Sequence, residues 1–358
     1  MQPNGDMLRL ARQRKGLPQT EAAKQLGIDQ SLLSRLENGV SEIRDDVLSR
    51  AEAIYDVRRS FFFQTDPIYG VPVSVHPMWR KKADVSGRDI DAVVAELNMR
   101  VMHLRRFLEA ADVAKVNDLP RLDIEDYGDP EHVAALLRSH WKIPAGPIRD
   151  LTVLVERAGV LVVHSSMAGA SISGVTFSVP GMPPLILLNS DQPADRMRFT
   201  LAHELGHLVM HRFPSPDMEN EAHAFASAFL MPAAELRPLL ESRRIDLPLL
   251  ASLKQEWKVS MQSVIMRAKT LGLLTRNQEE YLWKQMSARK WRIREPAELD
   301  FAHETPSVIA NLVNIFRDHL GYSSEEISEL QHIPEHEFSK LYPEKRAERV
   351  RPKFTVVG

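Results

Sequence analysis

Between Phe199 and His211 the chain reads FTLAHELGHLVMH, three histidines and a glutamate set among leucines and a valine. Imidazole and carboxylate groups are costly to bury beside such residues unless something pairs with them. Leu201, Leu205, Leu208 and Val209 make this helix mostly buried, which argues against a solvated surface helix. Any fold the chain adopts must therefore bring partners to His203, Glu204 and His207. Residues four apart on an α-helix stack on one face. His203 and His207 thus point the same way, as two imidazoles must to hold one Zn²⁺ at about 2.0–2.1 Å. Glu204 leans over the same face. It can take a proton from water whose pKa such an ion lowers from about 15.7 to about 7. This is the His-Glu-x-x-His pattern of zinc peptidases.

A catalytic zinc site needs a third protein ligand and an open fourth position. His211 continues the i+4 row, but it lies about 12 Å of helical rise from His203. One ion cannot reach both, so His211 is expected behind the ligands or, like His223, beside a developing oxyanion. The next helix offers Glu219 and Glu221. Glu221 is preferred, because Ala222, Phe225 and Ala226 follow it toward the core, with Glu219 the alternative nearer the connector. The expected cofactor is one Zn²⁺ per chain on His203, His207 and Glu221, with Glu204 as the base. The apolar stretches ISGVTFSV and LILLNS precede the helix, and either could pair with an extended substrate by strand addition.

The 358 residues suggest two or three domains. There are no cysteines, which excludes disulfides and thiolate metal sites. The net charge of −2 implies no nucleic-acid or membrane partner by itself, so any such contact needs a local patch. No apolar run approaches the ~18 residues of a membrane helix, and a cytoplasmic protein without a membrane partner is expected. Residues 1–65 read as short helices separated by Gly16-Leu-Pro18, Gly27 and Asn38-Gly39. After a connector rich in proline, residues 75–285 hold a long helix over 88–116, then strands, then the quoted helix and several more. Residues 286–358 form a helical C-terminal domain. The helix pair at 250–274 has a helix-turn-helix rhythm but is read as a wall of the central domain. The fold class is mostly α with a small antiparallel β-sheet (α+β).

RFTLAHELGHLVMH followed by EAHAFASAFLMP resembles the ImmA/IrrE metallopeptidase family, over roughly residues 75–285. The resemblance implies a gluzincin-like core, His203, His207 and Glu221 as ligands, and Glu204 as base. It also implies cleavage of transcriptional repressors, in mobile elements or stress responses. His223 stands where the family usually has Asn or Asp. LPQTEAAKQLGIDQSLLSRLENG resembles the helix-turn-helix of Cro/repressor-like (xenobiotic-response-element-type) regulators. Gln19 would then open the second helix toward a phosphate, and Gln30, Ser31, Ser34 and Arg35 would lie on the helix that enters the major groove. Residues 1–60 carry ten Lys/Arg against nine Asp/Glu, a modest surplus for a DNA binder. Arg9, Arg12, Arg14 and Lys15 are expected to form a phosphate-facing patch.

Together these features predict a zinc-dependent, site-specific endopeptidase coupled to a DNA-binding head. Its substrate would be a protein, a DNA-binding repressor, and a homodimer is compatible with this reading. The alternative is a helix-turn-helix regulator whose peptidase-like body senses a ligand or zinc, or serves as a toxin–antitoxin interaction module, without turnover. Glu204 favours the enzyme, because a pure sensor has no need of it.

Overall fold

The computed structural model describes residues 2–72, 86–113, 116–166, 172–343 and 354–356. Four helices open the chain: α1 (Gly5–Arg14), α2 (Gln19–Leu26), α3 (Gln30–Glu37) and α4 (Asp45–Tyr55). Asn4 and Asp29 cap α1 and α3, their side chains accepting from Asp6 N and Leu32 N. Such caps satisfy N–H groups that a helix start leaves without partners. Met7, Leu8, Ala22, Leu26 and Leu33 converge inside this head and are fully buried. A 3₁₀ turn over Arg59–Phe63 follows.

The long helix α5 runs over Gly87–Ala110, capped by Ser86, and α1 packs along it. It stops short of the expected residue 116, because Ala111–Val113 (β1) becomes a strand paired antiparallel with Phe354–Val356 (β5). No local signal announces a strand partner so distant in sequence.

The body begins with α6 (Ile124–Tyr127), α7 (Pro130–His140) and α8 (Leu151–Arg157). A three-stranded sheet follows, β2 (Leu161–Ser165), β3 (Gly174–Phe177) and β4 (Leu185–Asn189), in the order β2-β4-β3. The sheet is mixed, where an antiparallel one was expected. β3 and β4 form an antiparallel hairpin, with Phe177 opposite Leu185. β4 thereby runs in the direction of β2, and the two pair in parallel with Leu161 opposite Leu185. The unbroken apolar run LILLN suits the central position, since β4 is buried along its whole length.

Then come α9 (Ala194–Met210), α10 (Met218–Leu230), α11 (Ala233–Glu241), α12 (Leu247–Trp257), α13 (Met261–Thr270) and α14 (Arg276–Ala288). The pair α12 and α13 joins the apolar core of the body, as the sequence suggested. The tail carries α15 (Val308–Asp318), α16 (Ser324–Leu330) and α17 (Glu335–Leu341). Among the described residues no helix is long and apolar enough to cross a membrane.

The sheet divides two apolar cores. Successive strand residues face opposite ways. Leu161, Val163, Val175, Phe177, Leu185 and Leu187 join a core shared with the head, α5 and the tail. Val162, Ile186 and Leu188 join the core of α7–α14. The expected boundary near residue 65 falls in the connector after the 3₁₀ turn, that at 75 lies outside the described residues and that at 285 falls within α14, whereas the cores group α5 with the head and the tail. A charged cluster ties these three together. Arg14 of the head pairs with Glu96 of α5 at 2.7 Å and with Glu337 of the tail, and Arg100 holds Glu96 at 2.7 Å.

Candidate metal centre and nucleic-acid interface

α9 carries His203, Glu204 and His207, which are 5%, 1% and 4% exposed. Two glycines let its neighbours close on it. A Cβ on Gly206 would lie 2.9 Å from the Phe225 ring and 3.5 Å from Ala222 Cα, so α10 comes close to α9 only because residue 206 has none. A Cβ on Gly174 would collide with Thr200 and reach Glu204, so β3 lies equally tight on the other side. Through that second contact Thr176 Oγ1 donates to Glu204 Oε2 at 2.7 Å.

The Nε2 atoms of His203 and His207 stand 3.1 Å apart. Glu219 faces both, with Oε1 3.3 Å from His207 Nε2 and Oε2 3.6 Å from His203 Nε2. Donors held about 2.0–2.1 Å from one ion in a tetrahedral arrangement stand about 3.3 Å from one another. The three side chains therefore fit a zinc-sized ion. Among the described residues Glu219 Oε1 also has no hydrogen-bond partner, although buried polar atoms seldom lack one. His203, His207 and Glu219 form the group of potential metal ligands found among the described residues.

This corrects the expectation that Glu221 is the third ligand. Glu221 Oε2 lies 3.0 Å from His211 Nε2 instead. The apolar side of α10 is set by Met218, Ala222, Phe225, Ala226 and Phe229. At 3.6 residues per turn, Glu219 and Glu221 flank that side about equally, one on each edge. A usable signal was His223. It lies four residues after Glu219, on the same face, and its ring centroid is 4.6 Å from that of His203.

His211 stands behind the ligands. Its Nδ1 is 3.0 Å from His207 Nδ1, while its Nε2 meets Glu221. With His207 Nε2 turned to the ion, its Nδ1–H donates to His211, and the Nε2–H of His211 donates to Glu221. Chains of this kind fix a ligand's tautomer and orientation. Burial, then the charges of His207 and His203, push the His211 pKa down to about 3, which keeps it neutral for that role. Both of its nitrogens are engaged, so it is not poised to donate to an oxyanion. His223 fares no better. Its Nδ1 donates to the Glu219 carbonyl at 3.0 Å, and its pKa is lowered, first by burial and then by His203. The neutral ring therefore presents Nε2 as an acceptor.

The carboxyls of the site are driven apart. Burial raises the pKa of Glu204, against the opposing effects of His203 and the Thr176 hydrogen bond. Burial acts upward on Glu219 too, but the close polar contacts and the charge of His203 and His207 outweigh it and hold the group well below the carboxylate range. Glu221 is raised by burial and by Asp217. An ionised carboxylate beside two imidazoles is the donor set a divalent ion requires.

Of the two candidate strands, β3 is an edge strand and touches Glu204, whereas LILLNS forms the central β4. Of the two, β3 is thus the strand that lies against the site.

The head places Gln30, Ser31 and Arg35 on exposed positions of α3, with Ser34 half-buried. Gln19 is half-buried at the start of α2. Its Nε2 donates to Glu37 at 2.8 Å, and its Oε1 accepts from Gln30 Nε2 at 2.8 Å. Glu37 in turn receives two hydrogen bonds from the Arg12 guanidinium, at 2.5 and 2.9 Å. A chain of polar contacts thus runs from the head's interior to the tip of α3. The expected phosphate-facing patch does not form. Arg12 is buried against Glu37, Arg14 is held by Glu96 and Glu337, Lys15 pairs with Asp56 and Arg9 with Asp6. The exposed cations at α2 and α3 are Lys24 and Arg35.

Residues 155–269 match the peptidase family model described as an IrrE N-terminal-like domain. Residues 8–62 match the model described as helix-turn-helix. The chain thus carries a helix-turn-helix domain and an IrrE/ImmA-like, metallopeptidase-like domain, as the two sequence resemblances implied, and the IrrE N-terminal-like match spans every residue of the candidate metal centre. No curated protein matches the chain.

Proposed function

We propose that the protein is a zinc-dependent, site-specific endopeptidase that acts on a transcriptional regulator, with a DNA-binding head. The observation that carries this reading is the convergence of His203, His207 and Glu219 at ligand spacing, with Glu204 next to the first of them. When bound, Zn²⁺ supplies Lewis acidity, making water more acidic and polarising a peptide carbonyl. Glu204 takes the proton of the attacking water and delivers it to the leaving amine. Thr176 holds Glu204 for that transfer. His211 and Glu221 hold His207 in the tautomer that turns Nε2 to the ion. In the head, α3 carries the DNA contacts through Gln30, Ser31, Ser34 and Arg35.

The test uses the purified full chain and repressors encoded beside its gene. Glu204→Gln is expected to lower cleavage by about 10²–10⁴-fold while zinc stays bound. Atomic spectroscopy is expected to find about one zinc per chain in the wild type and in Glu221→Gln, and little in His207→Ala or Glu219→Gln. Full biological activity of Glu204→Gln would instead establish a regulator that works without turnover.

A further inference from the structure

With a net charge of −2, the chain can hold a polyanion only through a local basic patch, and the patch expected in the head does not form. A basic patch lies in the body instead. From Lys284 to Arg294 the eleven residues KQMSARKWRIR carry five cations, Lys284, Arg289, Lys290, Arg292 and Arg294, and no carboxylate. All five are exposed, on the last turns of α14 and on the turn that follows it.

The neighbouring carboxylates are engaged elsewhere. Glu295 is buried, with Oε2 2.9 Å from Lys254 Nζ, and it accepts from Met261 N at 3.1 Å and Gln262 N at 3.2 Å. Glu279 meets Lys269 at 2.9 Å, Glu280 meets Arg276 at 3.0 Å and Asp300 meets Arg294 at 2.5 Å. Among the described residues Lys284, Arg289, Lys290 and Arg292 make no ion pair. Two of these side chains are steadied by rings. Arg292 lies over Trp283 at 5.1 Å and Arg289 over Trp291 at 5.5 Å, while both indoles pack against the core of the body. A guanidinium held in this way has less freedom to lose when it meets an anion. A helix end favours cations, which accounts for Arg289 and Lys290, but Arg292 and Arg294 lie beyond it. Lys290 also sits at φ 59, a left-handed position after the helix where glycine is the residue that folding favours.

We infer that this patch binds the phosphate backbone of duplex DNA without regard to sequence, as a second nucleic-acid surface outside the head. Phosphate neutralisation supplies nearly all of non-specific DNA affinity. The head spends Arg9, Arg12, Arg14 and Lys15 on its own ion pairs and exposes Lys24 and Arg35 at α2 and α3, so the body provides the phosphate contacts that the head lacks. An anionic membrane fits less well. A surface that lies in lipid needs an apolar face beside its cations. Here both indoles are turned to the core, and Ile293 is the exposed large apolar side chain of the stretch. The choice of DNA draws on the reading of the head, whereas the surface itself does not.

The experiment uses the full chain and fluorescent duplexes of two unrelated sequences, with binding followed by anisotropy between about 50 and about 200 mM salt. Lys290→Gly removes a charge at a position that suits glycine, so its melting temperature should equal or exceed that of the wild type. It is expected to weaken binding of both duplexes alike, by about fivefold near 0.1 M salt, and to lower the salt slope by about 0.9. Lys290→Glu combined with Arg292→Glu should weaken binding further. Unchanged affinity and slope in these variants overturns the inference, as does a wild type that binds neither duplex at low salt. Vesicles of phosphatidylglycerol and phosphatidylcholine provide the other arm. Vesicle binding lost in the variants while duplex binding persists overturns the inference in favour of a lipid surface. Arg35→Ala reports on the head separately. Loss of duplex binding there and none at residues 290 and 292 keeps the DNA-binding head and removes this surface, and the reverse keeps this surface and removes the head as the DNA contact.

Discussion

The head and the metal centre each bury charged side chains, and they treat them differently. In the head, Arg12 and Glu37 close on one another through two hydrogen bonds, and Gln19 completes the set. In the candidate metal centre, Glu219 Oε1 and His203 Nδ1 are buried without hydrogen-bond partners among the described residues. Buried polar groups that satisfy one another specify a structure, whereas groups left unsatisfied are a cost that a ligand removes. The difference separates residues kept for folding from residues kept for chemistry, though both sets looked alike as charges on helices.

The largest expected effect breaks the matched pair. Glu37→Ala strands the Arg12 guanidinium in the interior and is expected to cost about 3–5 kcal/mol in denaturant unfolding. His203→Ala, measured without metal, should cost far less, because it removes a ring whose Nδ1 has no hydrogen-bond partner among the described residues. Equal losses from the two substitutions would erase the distinction. A middle-sized effect is expected at Gly206→Ala. The added Cβ presses on Phe225 and forces α10 away from α9, for about 1–3 kcal/mol of overpacking. It should also weaken zinc binding in a competition titration, since Glu219 moves with α10. Unchanged zinc affinity would show that helix spacing does not set the site.

The smallest effect concerns the seam between head and tail. There His332 Nδ1 meets Ser60 Oγ at 2.9 Å, and its carbonyl accepts from Arg58 N at 2.9 Å. Burial, then the charge of Arg106, lowers the His332 pKa to about 4, against the pull of Asp66. Folding therefore favours the neutral ring. That contribution is complete above the unfolded value near 6.5 and is lost as pH falls from there through about 4. His332→Asn tolerates the left-handed backbone at φ 58 and removes the titration. Melting temperatures of the variant and the wild type should diverge across that window and run parallel above it.

The parts legible in the sequence were those written in local spacing. The four-residue interval of His203 and His207, the capping box at Ser323 and Glu326, and the breakers between α1, α2 and α3 all depend on neighbours along the chain. Glu219 was harder to identify, since it and Glu221 sit on opposite edges of one apolar stripe and only the packing of α10 on α9 decides between them. The fate of Arg14 was not legible, because its partners Glu96 and Glu337 lie 82 and 323 residues away. The parallel pairing of β2 with β4 was hidden for a similar reason, since a strand's direction relative to a non-consecutive neighbour leaves no mark on either sequence.

One feature of the sheet bears on how the whole molecule comes apart. Leu187 and Leu188 are adjacent on β4, yet each serves a different apolar compartment, so the strand is a party wall one residue thick. Such a wall cannot be withdrawn from one tenant alone. Melting the compartment of the head and tail strips one side of β4 and exposes the lining of the helices that carry His203, His207 and Glu219. The two halves therefore share a common thermal fate, and a heating scan of the intact chain should trace a single cooperative step.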